Sequence, residues 1–205
     1  MTILDELDRR LAPIGWARAE PWDDDEYVTY ARRPNDEISF ELGLDVEPRE
    51  WGLRLNPVVA VRHVEVARLS GLFLGLPAGA CMTAATLADL VARAAPSRWD
   101  MSFADGVRGE EAAGQQVVAD LVAQGEPFLA SMPTLADMIA RISTDSRRSQ
   151  VDDGNLAIAY MLSGDDDGAR QALGAMEAKA VERPLLARGQ FDVFLRGFRD
   201  YFNLG

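Results

Sequence analysis

One cysteine, one histidine and one lysine are all that these 205 residues hold of three side chains on which much protein chemistry rests. Cys81 has no second cysteine to pair with inside the chain, which fits a reducing compartment. A single imidazole, His63, excludes any mechanism that needs two. Zinc-binding patterns are missing as well: there is no HExxH, no CxxC and no histidine pair one helical turn apart. No GxxxxGK[ST] phosphate loop or GxSxG nucleophile turn occurs, and Gly71 to Gly75 lacks the spacing of a dinucleotide fingerprint. Ser163, Asp165, Asp167 and Gly168 imitate the start of a calcium loop. Gly174 then falls where the bidentate glutamate is required, so the loop fails. No cofactor or metal is expected.

Long apolar runs are also lacking, and none approaches the roughly 20 residues that span a bilayer. The opening MTILDELDRRL has no basic segment followed by an apolar core, so no secretory leader is read there. A cytoplasmic location is the expectation. Positive charge is scarce: the net charge is −12, and Lys179 is the one lysine among 21 basic residues. Such an excess of carboxylates argues against unaided binding to nucleic acid or to anionic membranes, and it suits a basic protein partner. Arginine dominance of this degree reads as the coding bias of a GC-rich genome.

What is present begins with alternation. Ile38, Phe40, Leu42, Leu44 and Val46 alternate with Glu37, Ser39, Glu41, Gly43 and Asp45, a period of two that only an extended strand turns into an apolar face. Glu47-Pro48-Arg49-Glu50 interrupts, and Trp51, Leu53, Leu55, Val59 and Val61 resume. The pattern predicts a hairpin with a four-residue connection at 47–50, setting Val46 opposite Trp51, Leu44 opposite Leu53 and Leu42 opposite Leu55. Pro57 marks an edge, a bulge or the end of regular pairing. On the polar face that register brings Arg54 diagonal to Glu41 and Asp45. A solvated charge cluster is the plain reading, and a ligand or partner contact the functional one.

Around the hairpin, Thr2 with Asp5 predicts a capped helix carrying Ile3, Leu4, Leu7 and Leu11 and stopping near Pro13. Trp16 to Trp22 and Tyr27 to Arg33 read as strands joined at an acidic tip, Asp23, Asp24 and Asp25 with Glu26. That tip is a second candidate contact for a cation or an arginine-rich partner. Val64 to Phe73 fits a helix ending at Gly75 or Pro77. Residues 81–103 fit either a helix, through their alanines and a Thr86…Asp89 cap, or two strands. From Gly109 on only helices are predicted: a stripe through Val117 and Leu121 ending at Gly125, a helix capped by Thr134, a polar joint at 143–153, and a helical hairpin around Gly164. A last helix sets Phe191, Phe194, Phe198 and Phe202 on one side, either as core or as an exposed interface. The hairpin resembles one tetratricopeptide unit through Ala159, Tyr160, Gly164, Ala169 and Leu173, with no second copy at that period.

His63 stands where strand gives way to helix, and capping that junction is its expected role. A nucleophile–base pair with Cys81 is the functional alternative, although nothing flanking Cys81 has the form of a nucleophile turn. The succession LNPVVAVRHVEVARL, TLADLVARAAPSRWDMSF and GEPFLASMPTLADMIARI resembles a group of uncharacterised bacterial proteins over roughly residues 50–142. Some members have the size and organisation of toxin-immunity proteins. The resemblance implies a strand pair for 81–103 and carries no catalytic signature.

These readings together predict an α+β protein, with an antiparallel meander of four to six strands flanked by helices and followed by an all-helical region. The division is expected at 1–108 and 109–205. The leading expectation for function is a non-enzymatic binding protein, immunity-like or a regulatory partner of a basic protein. One rival is a small-ligand binder or enzyme using carboxylates and arginines, with Glu41, Asp45, Arg54 or His63 converging on a deep pocket. Another is a helical scaffold that displays Phe191 to Phe202.

Overall fold

The computed structural model describes residues 2–19, 27–76, 81–91, 99–181 and 185–204, the side chains of residue 27 and residues 185–187 aside. In chain order these residues form α1 (Ile3–Leu11), β1 (Ala17–Arg18), β2 (Tyr27–Arg32), β3 (Ile38–Arg49), β4 (Gly52–His63) and α2 (Val64–Leu74). There follow β5 (Thr83–Thr86), the one-turn α3 (Leu87–Leu90), β6 (Asp100–Ser102) and α4 (Gly106–Asp120). The chain closes with α5 (Glu126–Ala130), α6 (Leu135–Ser143), α7 (Gln150–Leu162), α8 (Asp166–Val181) and α9 (Leu185–Phe202). The protein is α+β: an antiparallel sheet in meander order β1-β2-β3-β4-β5, with β6 also on β4, and helices filling the C-terminal half. No helix of the described residues is long and apolar enough to cross a membrane.

Two compact units emerge, and they do not divide at residue 108. The first is Met1–Asn35, Ser39–Val61 and Ala84–Ser131; the second is Asp36–Ile38, Arg62–Thr83 and Met132–Gly205. Helices α4 and α5 therefore belong with the sheet, and α2 belongs with the C-terminal helices.

In the sheet unit, alternation predicts the strand β3 and its apolar face, with Phe40, Leu42 and Leu44 buried and Asp45 exposed, but Ser39 and Gly43 on the opposite face are buried as well. The connection is shorter than expected. β3 runs on through Pro48 to Arg49 and β4 restarts at Gly52, so only Glu50 and Trp51 turn the chain. The partners expected of Val46, Leu44 and Leu42 accordingly move along β4. Trp51, expected on the buried face, sits in the turn and is exposed. Leu55 is buried and Leu53 half-buried, the latter opposite Met101 of β6. Gly52 has no alternative residue here, because a Cβ would lie 1.7 Å from the Met101 carbonyl oxygen. The ambiguous 81–103 stretch divides its answers. Thr83–Thr86 and Asp100–Ser102 are strands, and Thr86 caps the short helix between them by accepting from the Asp89 N–H at 3.1 Å.

Helix α1 forms as its capping box dictates, with the Thr2 hydroxyl on the Asp5 N–H and the Asp5 carboxylate on the Thr2 N–H. It buries Ile3, Leu7 and Leu11 and comes close to α4 at Gly114, where a Cβ would meet the Glu6 Cγ at 2.8 Å. Glu6 is fully buried. Burial alone would raise its pKa, but hydrogen bonds from Arg9 and Arg10 outweigh that and hold it below the usual carboxylate range. Arg32 of β2 lies 5.4 Å over the Trp16 ring and pairs with Glu126 at 2.8 Å, and Trp16 Nε1–H donates to the same carboxylate oxygen at 3.2 Å. The helix predicted to stop at Gly125 does not stop there. It passes through a π-helical stretch, Leu121–Gly125, into α5. Gly125 is instead a contact point, since a Cβ would crowd Leu121, Leu87 and Val59 at 2.9–3.2 Å.

In the helical unit, Thr134 and Ser149 start α6 and α7 with capping boxes, closing them with Asp137 and Asp152. Gly164, at φ 76°, turns α7 into α8 as the sequence predicts. Phe73 of α2 packs edge-on against Phe194 and Phe198 of α9, with ring centroids 5.6 and 6.0 Å apart. The Phe191–Phe202 side of α9 is therefore core: Phe191, Phe194 and Phe198 are buried and Phe202 is half-buried. Each fully buried ring is worth roughly 1.5–3 kcal/mol of apolar burial. The exposed stripe on which a scaffold reading depends is not what the chain presents.

Candidate functional site

Among the described residues, Arg54, Glu41 and Asp45 find separate neighbours. Arg54 makes a two-pronged pair with its register partner Asp100 on β6, at 3.0 and 3.2 Å, rather than with Glu41 and Asp45. Asp45 is exposed and accepts from Asn56 Nδ2 at 3.1 Å, while Glu41 sits half-buried opposite Ala31 of β2. Asp23, Asp24 and Asp25 lie outside the described residues.

His63 caps α2. Its Nδ1 accepts the Val66 N–H at 3.4 Å, and burial lowers its pKa against the opposing pull of Glu37 and Glu65. Cys81, half-exposed, has Arg62 Nη2 at 3.9 Å from its sulfur, and its carbonyl accepts from the buried Asn155 amide at 3.3 Å.

A cavity of about 620 Å³ opens inside the helical unit, between α2, α7, α8 and α9. Its construction starts at helix ends. Gly75, left-handed at φ 67°, ends α2, and the Leu76 N–H returns to the Gly71 carbonyl at 2.9 Å, which turns Leu76 toward the mouth beside Leu74. On the opposite side α7 begins with Gln150 and Val151. The start of α7 is tied to α8 by Asp153, which is fully buried and bonded to Arg148 at 3.0 Å and to Lys179. Gly154 keeps the floor thin: a Cβ there would lie 3.2 Å from Phe194 Cζ and 3.5 Å from Met176 Cε. Gly189 and Val193 of α9 complete the wall, and at Gly189 a Cβ would meet nothing within 4 Å.

The lining is chemically uniform. Leu74, Leu76, Val151, Met176, Val193 and Phe194 supply apolar surface; Ser70, Gln150 and Gln190 supply a hydroxyl and two amides. Among the described residues that line it, none is charged. Three of the chain's exposed large apolar side chains, Leu76 (53%), Val151 (42%) and Val193 (50%), gather at this one mouth instead of scattering over the surface. Volume, apolar walls and a few neutral polar groups are the attributes of a site for a small organic molecule.

A second, polar cavity of about 310 Å³ lies near the α7–α8 hairpin, lined by Ser143, Arg148, Tyr160 and Gln171. Three of its polar side chains are already bonded: Arg148 holds Asp153 and the Ser143 carbonyl, and the Tyr160 and Ser143 hydroxyls are 2.8 Å apart.

Of the lining of the larger cavity, the sequence marks only Phe194, and that as one member of an aromatic stripe. The segments that meet here are 70–76, 150–154, 176 and 189–194, and no local pattern links them. No family model, no curated protein and no solved structure matches this chain.

Proposed function

We propose that this chain is a small-ligand-binding protein whose ligand is a largely apolar molecule held among α2, α7, α8 and α9. One observation carries the reading: a cavity of about 620 Å³ with apolar walls and exposed apolar side chains at its mouth. Apolar surface left open to water is unfavourable by roughly 25 cal/mol per Å², so a ligand that covers Leu76, Val151 and Val193 gains what the unliganded chain forgoes. Titration with N-phenyl-1-naphthylamine, a neutral probe that fluoresces in apolar sites, tests it. Saturable binding at one site, lost in Val193→Trp while the melting temperature holds, is the expected result. No saturable binding, or binding indifferent to Val193→Trp, removes the proposal.

A second reading keeps the expectation of a basic protein partner, toxin-like as for an immunity protein. It draws on the net charge of −12, together with the internal pairing of many arginines, among them Arg9, Arg10, Arg18, Arg32, Arg54, Arg68 and Arg148. It predicts co-elution with a basic protein of the same cells at about 50 mM salt and release at about 500 mM, where screening shortens to a few ångströms. Elution of the chain alone at both salt concentrations would remove this reading.

A further inference from the structure

Resting on the ligand-binding reading, we propose that the α2–α7–α8–α9 cavity selects neutral apolar molecules and rejects their anionic counterparts, so that fatty carboxylates and aromatic sulfonates are excluded by charge rather than by shape.

The described lining offers only a serine hydroxyl and two glutamine amides as polar partners, with no arginine, lysine or histidine to meet an anion. An anionic group entering such walls loses its water and receives no counter-charge. The feature that ordinarily compensates for this, a helix start, is present but carries carboxylates of its own. α7 begins at the cavity with Gln150 and Val151, where free N–H groups and the positive end of the helix dipole would favour an anion. Asp152 and Asp153 stand in that same first turn. Asp152 closes the capping box, its carboxylate accepting the Ser149 N–H at 2.6 Å while its own N–H goes to the Ser149 hydroxyl. Arg148 and Lys179, which bond at this turn, are both paired with Asp153. An overall charge of −12 adds a long-range field of the same sign.

Two probes of nearly one shape separate charge from fit. N-phenyl-1-naphthylamine is neutral, and 1-anilinonaphthalene-8-sulfonate is the same two ring systems carrying one sulfonate. The full chain, its Val193→Trp variant and its Gln190→Arg variant are titrated with each. Gln190 is exposed on α9 at the cavity wall, and arginine suits a helix interior, so that variant places a cation at the site with little demand on packing. The expected result is that the sulfonate binds the native chain weaker than the amine by on the order of tenfold or more. In Gln190→Arg the sulfonate should gain severalfold relative to the amine.

Equal or tighter binding of the sulfonate, blocked like the amine by Val193→Trp, overturns the selectivity and leaves the cavity as a ligand site. A sulfonate that stays equally weak in Gln190→Arg overturns charge as the cause. An amine that fails to bind, or that binds regardless of Val193→Trp, sinks the underlying ligand reading instead.

Discussion

The Cα of Phe73 lies so close to α9 that a methyl group on Gly197 would come within 3.1 Å of it. Helix α2 and helix α9 touch backbone to backbone at this point, and the aromatic cluster around Phe73 depends on that approach. Alanine at position 197 gains helix propensity of up to about 1 kcal/mol but forces the two helices apart. The expected net effect of Gly197→Ala is a loss of about 1–2 kcal/mol in denaturant unfolding. Gly174, on the exposed side of α8, is the control, because an added methyl there would meet nothing within 4 Å. At that position the same change should stabilise by about 0.5–1 kcal/mol. Two changes of the same sign would refute the contact.

Asp153 holds the start of α7 to α8 through Arg148 and Lys179 and is itself fully buried. Asp153→Ala removes the shared carboxylate and strands two partly buried cations. Because both cations keep some access to water, the expected loss is about 2–3 kcal/mol, below that for a wholly enclosed pair. Lys179→Met leaves the Arg148 pair intact and should cost about 1 kcal/mol. Urea unfolding of the two variants checks the order, and equal losses would contradict it.

Burial holds the His63 imidazole below its ordinary pKa of 6.5, and the carboxylates of Glu37 and Glu65 pull the other way without prevailing. The unfolded chain therefore takes up this proton more readily than the folded one. Stability from this group is full above pH 6.5 and declines as pH falls from there through the lower folded value. Protonation also removes Nδ1 as acceptor for the Val66 N–H. His63→Asn keeps a capping oxygen and cannot titrate. Between about pH 7.5 and 5.5 the melting temperature of the native chain should fall more than that of His63→Asn. Parallel curves would show that the cap is not titrating.

What is legible in the sequence is local. Alternation over 38–46 predicts β3, Thr2 with Asp5 and Thr134 predict two helix starts, and Gly75 and Gly164 mark two helix ends. Each signal lies within a few residues of the structure it specifies. The misses are long-range. A connection at 47–50 would match Arg54 to Glu41 and Asp45, whereas its partner Asp100 arrives from 46 residues away on a three-residue strand. Pro48 reads as a break, yet the strand continues past it to Arg49. Gly125 reads as a stop, while its missing side chain serves close packing against Val59 and Leu87. The cavity is invisible for the same reason, since α2 and α9 contribute walls more than 110 residues apart.

Methyl chemical shifts of the labelled native chain, followed during titration with N-phenyl-1-naphthylamine, test the ligand site residue by residue. Saturable shifts are expected at Leu74, Leu76, Val151, Met176 and Val193, with Leu42, Leu44 and Leu55 of the sheet unmoved. Shifts concentrated at Leu42, Leu44 and Leu55, or none at the five cavity residues, would contradict binding among α2, α7, α8 and α9.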